Sequence, residues 1–298
     1  KKSVGFDRYM NEAVIGIVFD FDETLGPDTI FFVLREQNVS PIAFWKEVNS
    51  MVASGWDPPL AYMHLLLKLS KEKKLDISRK SLRNLGKKIP LFPGLPLALK
   101  ELKKYVLSNA SLKKSRVALE IYIISGGLEE IIKATKLAPY IDGVFGCTFA
   151  YNSDNSQPIG IQSAISFTEK TRFLHGIRKG IEPAILRTDP YRVNDAIPPH
   201  MQRIPFSRMI YIGDGPSDIP CLSPVVGNGG IGIGVSAPFG TFKKGYELAR
   251  GKRTTVGPYT ANYKKDSDMR KVLEEAILRI GLAIDIDQKK NIVTAPTH

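Results

Sequence analysis

The sequence predicts an α/β fold: a parallel sheet with helices on both faces, interrupted early by a block of helices. Three observations carry this. Short apolar runs that read as buried strands recur at 14–19, 117–125, 143–151, 208–212 and 231–235. Helical patterns alternate with them, and strand-helix alternation is the pattern that builds a parallel sheet. Four helix signals then crowd between the first two strands. The division that follows is a discontinuous core of 1–25 and 93–298 with a separate helical cap at 26–92.

The elements can be justified in order. "AVIGIVF" is apolar and runs straight into acids, so it reads as a fully buried strand. Helices are expected at 28–37, at 41–53 after the Ser40-Pro41 pair, at 58–73 behind Pro58-Pro59, and at 78–88 after Ser78. "PLFPGLPLALKELKKYV" is a Pro/Gly turn followed by another helix. Then come the strand "VALEIYIIS", a helix from Gly127 to Lys136, the strand "GVFGCTFAY", and a helix from about Thr168 to Lys179. "RMIYI" and a final strand "IGIGV" follow. Gly227, Gly229 and Gly232 fit G-x-G-x-x-G, but no strand precedes them and no helix starts at the third. They read as a turn leading to an edge of the sheet, not as a nucleotide cradle. The segment 183–208, with Arg187, Arg192, His200 and Arg203, exceeds what a crossover requires and reads as a surface loop, with a second substrate-binding element as the alternative.

Composition excludes several classes. At 298 residues and 43% hydrophobic the chain can bury a large core. No apolar stretch approaches the roughly 20 residues of a membrane span. The formal charge of +12 invites an anionic partner, yet Lys and Arg are spread along helices as a solvated face, so nucleic acid is not the expected ligand. Cys147 and Cys221 are too few for a disulfide framework and fit a reducing compartment. His64, His175, His200 and His298 are scattered, against a zinc cluster. The sequence begins Lys1-Lys2 without Met, which leaves room for a trimmed targeting segment; a cytoplasmic location is the default expectation.

Chemistry concentrates at strand ends. In an open parallel sheet, ligands bind beyond the carboxyl ends of the strands, and there "DFDET" places Asp20 and Asp22. Alternation sets the two carboxylates on one side of the strand end, where they repel unless a cation or shared proton intervenes. "IYIISGG" ends in Ser125, with Gly126 and Gly127 at an expected helix start that offers N–H groups and a hydroxyl to an anion. "IGDGPSD" brings Asp214 and Asp218 to the same edge. Lys170 sits in a first helical turn, where the helix dipole disfavours a cation, and a functional role would explain it.

Together these resemble the four ordered motifs of the haloacid dehalogenase-like (HAD) superfamily: Asp20, Asp22 and Thr24; Ser125; Lys170; and Gly213, Asp214 and Asp218. The likeness covers about 14–235. It implies a Rossmann-like core and, from the insertion after the first motif, the helical cap of the phosphoserine-phosphatase-like branch. It implies Asp20 as a nucleophile forming an aspartyl-phosphate, and Asp22 as general acid and then base. Mg²⁺ is implied on the Asp20 and Asp214 carboxylates and the Asp22 carbonyl, with Asp218 behind them. Ser125, Gly126 and Lys170 are implied as the phosphate binders, and Thr24 as a loop buttress.

An acid at Asp22 favours phosphoryl transfer over dehalogenation, because a halide needs no proton. The expectation is a Mg²⁺-dependent phosphatase acting on a small phosphorylated metabolite, with a phosphopeptide phosphatase as the alternative and a mutase or a non-catalytic binder behind it. Phosphoserine phosphatases carry a Glu where this chain has Thr29, beside Asp28, and usually an Asn where it has Ser217, so phosphoserine itself is not the expected substrate. Trp45, Trp56, Tyr62 and His64 are the cap residues whose chemistry suits substrate recognition, while the apolar spacing of "LAYMHLLLKL" equally allows Tyr62 or His64 to be buried in cap packing.

Overall fold

A computed structural model describes residues 12–240 and 242–293. Lys1, Lys2 and His298 lie outside them. Strand β1 (Ala13–Phe19) is central, and Ile15, Ile17, Val18 and Phe19 are wholly buried. That explains a strand apolar at successive positions: helices cover both faces. It pairs in parallel with β2 (Val117–Leu128) on one side and β5 (Met209–Gly213) on the other, Phe19 facing Ile123 and Ile212. Beyond β2 lie β3 (Gly143–Tyr151) and β4 (Pro158–Ser163); beyond β5 lie β6 (Ile231–Ser236) and β7 (Val256–Thr260). The seven-stranded order is β4-β3-β2-β1-β5-β6-β7, parallel except for β4, which returns antiparallel on β3. The chain leaves β1 toward β2 and later crosses back to β5, so the direction of winding reverses at β1. The crevice at its carboxyl end is where such sheets bind ligands.

Helices α1 (Thr29–Glu36), α2 (Pro41–Ala53), α3 (Pro58–Lys71) and α4 (Arg79–Lys88) form the early block. Asp28, Ser40, Asp57 and Ser78 cap them, accepting from the amides of Phe31, Ala43, Leu60 and Ser81. Each satisfies an N–H that the helix leaves unpaired. Next come α5 (Leu97–Ser108), α6 (Ala110–Lys114), α7 (Glu129–Ala134), α8 (Glu169–Lys179), α9 (Pro183–Thr188), α10 (Ile219–Gly227), α11 (Lys243–Arg250) and α12 (Asp268–Val293).

The helical block is fastened to the sheet layer. Its buried Phe44, Val48, Leu65 and Leu82 belong to the same apolar cluster as Ile131 and the central strands. The two layers pack tightly at Gly86 of α4, where an added Cβ would lie 2.3 Å from the carbonyl oxygen of Ile131 in α7. Gly86→Ala is therefore expected to force these helices apart and cost about 1–3 kcal/mol. A urea midpoint unchanged from wild type would show that the two helices do not hold that contact.

Several expectations need correction. The helix expected from Gly127 begins at Glu129, because β2 continues through a bulge until Leu128 pairs with Cys147. The strand "IGIGV" is neither last nor at the edge, since β7 lies outside it. Gly227, Gly229 and Gly232 do form a turn between α10 and β6. The segment 183–208 is only partly a loop. It holds α9 and short 3-10 turns, buries Leu186, Ile204 and Phe206, and ties Arg203 to Glu120 at 3.0 Å and Arg187 to Glu129 at 2.7 Å.

Candidate active site

The first strand ends in a tight loop. The Phe21 carbonyl accepts from the amides of Thr24 at 3.1 Å and Leu25 at 2.8 Å, and Glu23 takes a left-handed conformation, φ 58°. The Asp20 amide donates to the Ile212 carbonyl at 2.9 Å, which anchors the carboxylate between β1 and β5. Thr24 is buried, but its hydroxyl has no hydrogen-bond partner among the described residues; its carbonyl accepts from Tyr263 Oη at 2.8 Å. Any bracing at this position runs through the backbone.

Lys170, second residue of α8, bridges two acids. Its Nζ lies 3.0 Å from Asp20 Oδ1 and 2.7 Å from Asp218 Oδ1, with all three residues buried. The two carboxylates offset a poor dipole position for a cation. Burial works against the charge on Lys170, yet Asp20 and Asp218 outweigh it and hold its pKa above the ordinary value. Asp218 also accepts from Tyr211 Oη at 2.8 Å. Gly213 makes room for it: a Cβ there would sit 2.3 Å from Asp218 Oδ2.

Asp20, Asp214 and Asp218 bring carboxylate oxygens within 4.8 Å of one another; among the described residues this is the group of three or more metal-binding side chains, and it contains no Cys or His. Burial chiefly raises the pKa of Asp20 to about 7, opposed by Lys170 and assisted by Asp218 and Asp214. Burial and then the Asp218 charge push Asp214 up to about 6, against Lys244 and Lys170. The cluster holds more negative charge than Lys170 balances.

Asp22 is positioned separately. The Thr29 amide donates to its Oδ1 at 2.8 Å, and the Thr29 hydroxyl lies 3.5 Å from Oδ2. Burial, followed by the charges of Asp28 and Asp20, holds its pKa well above the usual carboxylate range. Thr29 thus orients Asp22. Gly127 must be glycine, because a Cβ would stand 2.7 Å from Asp22 Oδ2 and 2.4 Å from Thr29 Oγ1.

These groups meet at a cavity of about 290 Å³. Asp20, Asp22, Gly126, Lys170 and Asp214 line its floor; Asp28, Trp45, Pro58 and Tyr62 line its roof. Tyr62 Oη donates to the Gly126 carbonyl, joining α3 to the end of β2. Ser125 and Asp218 sit behind the wall, wholly buried, and Ser125 Oγ accepts the Gly127 amide at 2.9 Å. Trp56 and His64 do not line the cavity; their rings pack together, centroids 4.9 Å apart. No residue of 183–208 lines it either. Sequence reasoning missed Lys244 and Phe167, which also line it; Lys244 Nζ lies 3.7 Å from Asp214 Oδ2. Neither belongs to a motif, and their positions follow from where α11 and the loop before α8 fall.

The fold is a wound α/β sheet with acid-ended central strands. No protein-family model matches the chain. It is 28% identical over 233 residues to an uncharacterized protein of Borreliella burgdorferi, covering 71% of this chain and 78% of that one. Its structure is similar to that of a HAD family hydrolase from Salmonella enterica serovar Typhi (TM-score 0.49, 18% identity, 81% of this chain and 65% of that one). It is also similar to a phosphoserine phosphatase in its apo form (TM-score 0.48, 17% identity, 87% of this chain and 98% of that one). No helix among the described residues is long and apolar enough to cross a membrane.

Proposed function

We propose that the protein is a Mg²⁺-dependent phosphatase of the HAD type, hydrolysing a phosphate monoester of a small metabolite. The observation that carries this is the convergence of Asp20, Asp22, Lys170 and Asp214 on one cavity at the carboxyl end of β1. Asp20 attacks phosphorus, a bond forms from its carboxylate oxygen, and the ester P–O bond breaks. Asp22, whose pKa burial raises above the usual carboxylate range, gives a proton to the leaving alcohol oxygen. Asp22 then takes a proton from water, whose oxygen attacks phosphorus. Phosphate leaves and Asp20 is regenerated. Lys170 and the Gly126 backbone stabilise the phosphoryl oxygens as charge spreads.

The donor set fits a hard cation, since it offers only oxygens and carries uncompensated negative charge. Asp20, Asp214 and the Asp22 carbonyl would hold Mg²⁺, with Asp218, already engaged by Lys170 and Tyr211, behind them. When bound, the ion supplies charge that lets an anionic nucleophile meet an anionic ester. Residues 26–92 act as a cap over this site. A cavity of about 290 Å³ roofed by Trp45, Pro58 and Tyr62 suits a small ester better than a peptide strand.

The test is hydrolysis of an aryl phosphate and a panel of phosphorylated metabolites by the full chain. EDTA is expected to stop turnover, Mg²⁺ to restore it, and Ca²⁺ not to replace Mg²⁺. Full activity in metal-free buffer, or no hydrolysis of any monoester with Mg²⁺ present, would overturn the reading.

A further inference from the structure

We infer that Tyr62 is a positioning residue for the phosphoryl transfer: its hydroxyl holds the Gly126 carbonyl and so aims the Gly126 N–H at the phosphoryl oxygens. This rests on the phosphatase reading and adds to it a residue from the helical block. Strand β2 pairs with β3 at Ile124 and again at Leu128, and with β1 no further than Ile123. Ser125, Gly126 and Gly127 therefore have no strand partner among the described residues. A backbone polar group that leaves a ladder must find its partner elsewhere. Two consecutive glycines also leave the chain its widest choice of backbone angles, so the local sequence does not fix this peptide.

Side chains fix it instead. The Gly127 amide donates to Ser125 Oγ at 2.9 Å. The Gly126 carbonyl accepts from Tyr62 Oη and, at 3.3 Å, from Cys147 Sγ. The Gly126–Gly127 peptide is thus held at both ends. Cys147 is itself set by the Ile165 amide, which donates to its sulfur at 3.2 Å. Tyr62 and Cys147 are both buried, and the phenol is the stronger donor of the two. Burial, and then Cys147, pushes the Tyr62 phenol well above its ordinary pKa, so it keeps the proton it donates. The ring has separate support, edge to face against Trp45 with centroids 6.2 Å apart. Gly126 lies on the cavity wall with Asp20 and Lys170. A donor fixed before the reaction meets developing charge without reorganisation, and a small misplacement forfeits much of that.

The experiment measures kcat and KM, with Mg²⁺, for 4-nitrophenyl phosphate and for the best ester of the metabolite panel, in wild type and in Tyr62→Phe, which keeps the ring. For both esters kcat is expected to fall about tenfold with KM within about twofold, because the lost interaction serves the transition state and not the alcohol. Packing alone would leave kcat in place, and a direct contact to the alcohol would change the two esters unequally. A kcat within about twofold of wild type, or falls that differ between the esters by more than about threefold, would overturn the inference and leave the phosphatase reading standing. Should Tyr62→Phe fail to fold, Cys147→Ala takes its place. It removes the weaker donor to the same carbonyl, with an expected fall in kcat of about threefold, and an unchanged kcat counts against the inference. If the wild type hydrolyses no monoester, the phosphatase reading falls. The inference is then judged by calorimetric titration of orthovanadate, with Mg²⁺, into wild type and Tyr62→Phe. Affinity about tenfold weaker in the variant bears it out; equal affinity, or binding to neither, sinks it.

Discussion

Asp20→Asn is expected to lower turnover of any monoester the wild type hydrolyses by about 10³-fold or more, with the fold retained. The amide keeps the size of the carboxylate and can still sit beside Ile212, but it is a far poorer nucleophile and cation ligand. Removing one of three crowded carboxylates also relieves repulsion with Asp214 and Asp218, which offsets the lost contact to Lys170. The melting temperature should therefore stay near that of wild type. Acid-quenched wild type should carry phosphate on the peptide that contains Asp20, and the variant should not. Turnover within tenfold of wild type would exclude Asp20 as nucleophile.

Lys170→Met should damage both activity and stability. The methionine fills much of the space but leaves Asp20 and Asp218 buried without their cation, a loss of about 3 kcal/mol in metal-free protein at pH 8. The pH dependence has a definite sign. The Asp20 pKa is already raised from 3.8 to about 7 with Lys170 opposing the shift, so removing Lys170 raises it further. Between its ordinary value and its folded value, folded Asp20 holds a proton that the unfolded chain does not, so stability rises as pH falls through the folded value. The gap between variant and wild type should be widest near pH 8 and narrow toward pH 5. Urea midpoints in EDTA at both pH values measure it. A loss of equal size at both would mean that Lys170 acts by packing and not by charge.

The rest of the structure explains why some features were legible in the sequence and others were not. Strand β1 could be read because burial on both faces demands an unbroken apolar run. The helices of the early block could be read because each begins at a side-chain cap, and α3 at a cap followed by two prolines. These are local constraints. Helix α12 was readable in principle, since Met269, Leu273, Ala276, Ile277, Ile280 and Ile284 are buried at helical spacing. Strand β7 was not: Pro258 has no N–H for a ladder, and only an outer position tolerates it.

The sequence by itself determined which residue types stand at the strand ends, in what order, and that strands alternate with helices, because these depend on neighbours along the chain. Only the tertiary structure decided how those residues meet. Lys170 reaches Asp20 across 150 positions, Thr29 rather than a distant partner aims Asp22, and Ser125 turns its hydroxyl to Gly127 instead of into the cavity. Of the four aromatic candidates, Trp45 and Tyr62 form the roof while Trp56 and His64 pack on each other outside it. All four have suitable chemistry; helical period does not say which face of α2 or α3 the sheet edge will meet, and Trp56 stands in the turn between those helices. That choice is made by packing between elements, where a contact such as Gly86 on Ile131 fixes how one layer sits on the next.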